Sequence, residues 1–178
     1  MIFMIKYMLS NNADIMFIGI NPHFGSYKRG IPFSNNKMLW YLFSRSGLIE
    51  ENEDYLKKDE NLRLVYEKEF LKKYNLNFTN LIERPSRDVS DLKKGEENPG
   101  KARLLESIIE YRPKVACFIG KVTYEKFSGK TLDKFGWQED IGKSKVYVMH
   151  FPIRGPAAIR IEELTEIIVS IGRKPYNH

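Results

Sequence analysis

Polar residues capable of chemistry sit at the ends of four short apolar runs. Ile15-Met16-Phe17-Ile18-Gly19-Ile20 runs into Asn21-Pro22-His23-Phe24-Gly25-Ser26. Asn77-Phe78-Thr79-Asn80-Leu81-Ile82 carries Asn80 and leads to Glu83-Arg84-Pro85-Ser86. Val115-Ala116-Cys117-Phe118-Ile119 ends in Gly120-Lys121, and Val146-Tyr147-Val148-Met149 ends in His150-Phe151-Pro152-Ile153-Arg154-Gly155-Pro156. Amides, hydroxyls and an imidazole can orient a small molecule or a water by hydrogen bonding. The loop after the first run holds no Asp or Glu, so a carboxylate base would have to come from elsewhere. Gly120-Lys121 opens a helical pattern, and backbone N–H groups at a helix start can hold a phosphate. Each feature also has a purely structural reading: Asn21-Pro22 as a turn opener, His150 as an edge histidine, Phe33 as a core aromatic.

Several chemistries are excluded. No G-x-G-x-x-G follows the first run and no G-x-x-x-x-G-K-[ST] occurs, which argues against a nicotinamide enzyme and a P-loop ATPase. No G-x-S-x-G elbow is present. His23, His150 and His178 have no metal-ligand spacing, and the one cysteine, Cys117, lies mid-run, so no metal is expected. A single cysteine also rules out an intrachain disulfide. With 29 Lys and Arg against 23 Asp and Glu, the net charge is +6, which favours polyanionic partners such as nucleic acid. No apolar run reaches the roughly 18 residues of a membrane helix. The opening MIFMIKYML lacks a basic start and a cleavage site, so it makes a poor signal peptide, and a cytoplasmic address is expected.

Positioning these residues falls to strands alternating with helices. Short continuous apolar runs suit strands buried on both faces of a parallel sheet. Met38-Leu39-Trp40-Tyr41-Leu42-Phe43 follows Asn35-Asn36 and stops at Gly47, a capped helix. Leu62, Val65, Tyr66, Phe70 and Tyr74 form a second helical stripe; Leu104, Leu105, Ile108 and Ile109 form a third, stopped by Pro113. Leu164, Ile167, Ile168 and Ile171 form a fourth, with Glu162, Glu163 and Glu166 expected on its solvent face. Residues 86–99 are expected to be a solvated loop. At 178 residues the chain is expected to be one three-layer α/β domain, core about 14–172, with a short, mainly parallel central sheet flanked by helices. In such sheets ligands bind at the C-terminal strand ends, where the four polar clusters fall.

Taken together, these motifs resemble the uracil-DNA glycosylase superfamily, and most closely its mismatch-specific uracil/thymine branch. Gly19-Ile20-Asn21-Pro22 is similar to that branch's first active-site motif. Phe33, within Gly30-Ile31-Pro32-Phe33, stands where the family has an aromatic that stacks on the extruded base. Asn36 to Trp40, Phe78-Thr79-Asn80-Leu81-Ile82-Glu83-Arg84-Pro85 and Gly120-Lys121-Val122-Thr123-Tyr124-Glu125 resemble three further family stretches. Val146 to Arg154 lies where the second motif enters the DNA. The sequence there departs from the branch's Asn-Pro-Ser-Gly-Leu-Ser, and its leading His150 is more like the major uracil-DNA glycosylases. His23 replaces the usual glycine after Asn-Pro.

The resemblance implies a monofunctional glycosylase that flips uracil, or thymine, out of a mismatch with guanine, hydrolyses its glycosidic bond and leaves an abasic site for base excision repair. In that reading Asn21 positions the attacking water. His150 and the backbone N–H groups of Ile20 and Asn21 stabilise the departing base. Phe33 stacks on the base, Asn80 reads its polar edge, and Ser26 lines the pocket near C5, with Ser86 at the rim. Arg154 or Ile153 is the wedge. Lys28, Arg29 and Lys121 contact phosphates. No cofactor is needed, the partner is double-stranded DNA, and one copy suffices. The altered second motif leaves two alternatives open: a glycosylase of the same fold for another deaminated base such as hypoxanthine, and a non-catalytic binder of damaged DNA.

Overall fold

Apolar runs without alternation must be covered on both faces, and they are. The computed structural model describes residues 4–177; residues 1–3 of the opening segment and His178 lie outside the described residues. β1 (Ile15–Gly19) is followed by α1 (Phe24–Arg29), α2 (Met38–Ser46), α3 (Glu53–Leu56), α4 (Asp59–Leu64) and a π-helical continuation, Val65–Phe70. Then come β2 (Leu76–Asn80), a single 3-10 turn (Val89–Asp91), α5 (Asn98–Tyr111), β3 (Val115–Ile119), α6 (Lys121–Ser128), β4 (Gly136–Ile141), β5 (Ser144–Met149) and α7 (Ala157–Ser170).

These strands form one five-stranded sheet in the order β2-β1-β3-β5-β4. β1 pairs in parallel with β2 and β3, β3 pairs in parallel with β5, and only β4 is antiparallel. Every residue of β1, β2 and β3 is buried. Alternate strand residues feed two apolar layers. Phe17, Phe78 and Met149 join Trp40, Phe43, Phe70 and Ile167 on one face. Met16, Ile18, Phe118 and Val148 join Leu104 and Ile108 on the other. The result is the expected mainly parallel three-layer α/β architecture.

Four details differ from expectation. β4 carries the polar sequence Gly-Trp-Gln-Glu-Asp-Ile, none of it buried, and survives as an edge strand on a hairpin with β5. Leu105 and Ile109 face solvent, because only Leu104 and Ile108, one turn apart, reach the sheet. Glu163 is buried rather than solvated. Residues 86–99 are not simply a loop: Ser86 is buried, the 3-10 turn is capped by Asp88, and α5 begins at Asn98.

Candidate active site

The C-terminal ends of β1, β2 and β3 and the loop after β5 surround a cavity of about 360 Å³. That is the size class of a small-molecule pocket. Gly19, Ile20 and Asn21 come from β1 and its exit, Asn80 from β2, Ile119 from β3, and Phe151 to Arg154 from the loop after β5. Ser26, Pro32, Phe33, Asn35 and Asn36 close one wall, and Ser86 to Val89 another.

Asn21 stands at the cavity with its amide held in one orientation. Its Nδ2 donates to the Arg84 carbonyl at 3.0 Å and to Ser86 Oγ at 2.8 Å. Ser86 passes its own hydrogen on to the Asp88 carbonyl at 2.9 Å, so its oxygen is free to accept. With both amide hydrogens engaged, Asn21 Oδ1 is left as an acceptor, and no described residue donates to it. The Arg84 backbone is itself fixed, since its guanidinium grips Glu96 and the Asp91 carbonyl. That hydrogen bond from Arg84 holds the Glu96 carboxyl down at about 2.

Phe33 forms the opposing surface. Its φ is +53°, a left-handed conformation rare for a bulky side chain. Such strain persists only where the surroundings enforce it, and it clusters at functional sites. Here Ser26 enforces it: its buried Oγ accepts from the N–H groups of Ser34 and Asn35, at 3.0 and 2.9 Å. The Phe33 ring packs 5.7 Å from Phe78 and over Gly19. Asn80, 5% exposed, lies beside it and donates through Nδ2 to the hydroxyl of Tyr7.

At the mouth, the loop of residues 151–156 projects with Phe151, Ile153 and Arg154 exposed. Its base is tied to α7 by the buried Arg160, whose guanidinium donates to the carbonyls of Phe151 and Arg154. Arg87 and Asp88 line the other lip. The Ser90 N–H, and more weakly Arg154, keeps the Asp88 carboxyl below its usual range.

The structure thus brings Ile20, Asn21, Ser26, Phe33, Asn80, Ile153 and Arg154 to one cavity, and Ser86 with them. His150 is a correction: it does not line the cavity. Its ring stacks on Phe135 at 3.6 Å, its Nδ1 meets Glu163 at 3.0 Å, and its N–H donates to the same carboxylate. A buried carboxylate must be paired, and Glu163 claims the histidine that the sequence assigns to the departing base. His23 also lines the cavity, and its Nδ1 accepts from Gly25 N–H and caps α1. Lys28 and Lys121 are exposed and outside the cavity. Arg29 is engaged with Asp59 at 3.3 Å and with the Gly25 carbonyl. Tyr7, Ile5, Arg87 and Val89 are lining residues that sequence reasoning missed; Tyr7 and Ile5 sit in a segment with no periodicity to mark them.

The model of the uracil DNA glycosylase superfamily matches residues 6–176. The chain belongs to that superfamily. The match takes in every strand, the loop at the cavity mouth and all of the cavity lining except Ile5. A relative from Schizosaccharomyces pombe, named a G/U mismatch-specific uracil DNA glycosylase, is 31% identical over 150 residues, covering 79% of this chain. The chain spans 44% of that relative's length. Among the described residues no helix is long and apolar enough to cross a membrane.

Proposed function

We propose that the protein is a monofunctional DNA glycosylase that extrudes uracil from mismatches with guanine and hydrolyses its glycosidic bond. The observation that carries this reading is the Asn21 amide, locked by Arg84 and Ser86 so that its oxygen is the free acceptor. An oxygen so fixed can hold a water by one hydrogen and aim its lone pair at the sugar. An amide cannot ionise into a base. The route this favours is therefore dissociative: the base leaves first as an anion, and water placed by Asn21 captures the sugar cation. With His150 paired elsewhere, charge on the departing base falls to backbone N–H groups at Ile20 and Asn21. Phe33 offers the stacking face. A mismatched base costs less to unstack than a paired one, which supports selectivity for mismatches. No lysine lines the cavity among the described residues, so the abasic strand is left uncut. The name of the Schizosaccharomyces pombe relative, a G/U mismatch-specific uracil DNA glycosylase, supports the substrate class. One copy holds every lining residue named, and we take the active form to be a monomer.

The test is excision from labelled duplexes with a central G·U, A·U, G·T or G·hypoxanthine pair, followed by alkali. Cleavage at G·U well above A·U, abolished by Asn21→Ala while binding to an abasic duplex survives, is the expected result. No cleavage at any pair alongside tight binding to G·U overturns the enzymatic reading in favour of a damage binder. Cleavage confined to hypoxanthine replaces the substrate.

A further inference from the structure

Among the described residues the segment before β1 contains no regular element, yet it is stitched across the edge of the cavity. Tyr66 Oη donates to the Lys6 carbonyl at 2.6 Å. Ser10 N–H donates to Oδ1 of Asn77, and Asn77 Nδ2 donates back to Ser10 Oγ. Asn77 is fully buried in β2, three residues from the end that carries Asn80. Ile5 is 8% exposed and lines the cavity with Tyr7. Such anchoring of a short segment has an entropic cost. What it delivers to the site is one phenol.

Tyr7 Oη accepts a hydrogen from Asn80 Nδ2. A phenol has one hydrogen to give, and no described residue accepts it from Tyr7. Burial pushes the pKa of this hydroxyl well above the usual phenol range, so it keeps that hydrogen at neutral pH. Asn80 directs Oδ1 toward Gly19, whose position for a β-carbon lies 2.6 Å from it, at the cavity floor beneath Phe33. The cavity therefore holds an acceptor, Asn80 Oδ1, adjoining an unused donor, Tyr7 O–H. A base edge that complements the pair presents a donor beside an acceptor. Uracil and thymine do so with N3–H and the C4 carbonyl, and hypoxanthine with N1–H and its C6 carbonyl. Cytosine presents the reverse, an unprotonated N3 beside an amino group, and sets acceptor against acceptor and donor against donor. An edge that leaves buried polar groups unpaired is rejected far more strongly than one lacking a methylene.

We infer that Tyr7 is a specificity-determining residue that donates to the C4 carbonyl of the extruded pyrimidine and, with Asn80, selects keto bases over amino bases. This rests on the glycosylase reading above for the occupant of the cavity. The test compares the full chain with Tyr7→Phe, which removes one oxygen and leaves the ring in place. Affinity is measured for duplexes carrying, opposite guanine, uncleavable 2′-fluoro nucleosides of uracil and of 2-pyrimidinone, which lacks the C4 carbonyl. Excision of ordinary uracil is measured in parallel, and melting curves verify the fold. The expected result is that Tyr7→Phe weakens binding to the uracil duplex about 10-fold and to the 2-pyrimidinone duplex less than about 2-fold, as for one lost hydrogen bond. Equal losses on both duplexes would reduce Tyr7 to a strut of the segment and overturn the inference, as would no loss on uracil. Were the parent chain to excise nothing while the affinity difference held, the catalytic reading would fall and the base-selective role of Tyr7 would stand.

Discussion

Gly19→Ala should damage the proposed base site while leaving the fold. Gly19 is outside the left-handed region, so alanine suits the strand backbone there. What it lacks is space. A β-carbon at Gly19 would stand 2.6 Å from Asn80 Oδ1 and 2.9 and 3.3 Å from two atoms of the Phe33 ring. Restoring ordinary contact at 3.4 Å needs shifts of about 0.8 Å in Asn80 and about 0.5 Å in Phe33. Neither group is at liberty to move. Asn80 is tied to Tyr7, and Phe33 is pinned by the Ser26 contacts and by Phe78. Overpacking of this kind costs about 1–2 kcal/mol, which lowers the melting temperature of a chain this size by a few degrees. The rate suffers more, since sub-ångström misplacement of positioning groups can cost about 100-fold. Single-turnover excision from a G·U duplex, with a melting curve on the same preparation, measures both. A variant that melts within a few degrees of the parent and excises uracil within about 3-fold of its rate would refute the placement of the base against Phe33 and Asn80.

Two further predictions follow from the same contacts. Ser86→Ala removes the shortest hydrogen bond of the Asn21 amide and leaves those to the Arg84 and Pro22 carbonyls, so single-turnover excision should fall about 5-fold, far short of the loss in Asn21→Ala; a larger loss would mean Ser86 has a second role. Affinity for a mismatched duplex should fall steeply with salt, and Lys28→Gln and Lys121→Gln should each reduce the log–log slope by about 1, whereas Arg29→Gln should change it less because Asp59 already holds that guanidinium; equal slopes for all three would show that the Asp59 pair opens on DNA.

Where a residue's neighbours lie close in sequence or follow a period, the pattern in the chain was enough to place it. β1, β3 and β5 read as buried strands because two-sided burial leaves a continuous apolar run, and their ends mark where a site must lie. β4 escaped because an edge strand needs cover on one side only, and Gly136–Ile141 is too polar to stand out. Glu163 was misplaced by grouping it with Glu162 and Glu166. Helical geometry alone sets it one turn before Ile167, on the inward stripe, where a carboxylate demands a partner. That partner is His150, whose backbone N–H and ring Nδ1 both meet the one carboxylate. A partner 13 residues away across a loop has no periodic signature, so a histidine at a strand end looks the same whether it faces a ligand or an acid. Tyr7 is the same problem at longer range. It meets Asn80 across 73 residues, from a segment with neither strand nor helix to announce it. The polar groups whose job is to orient other polar groups are thus the ones that only the folded chain reveals. In this site they decide which lone pair Asn21 and Asn80 turn toward the cavity.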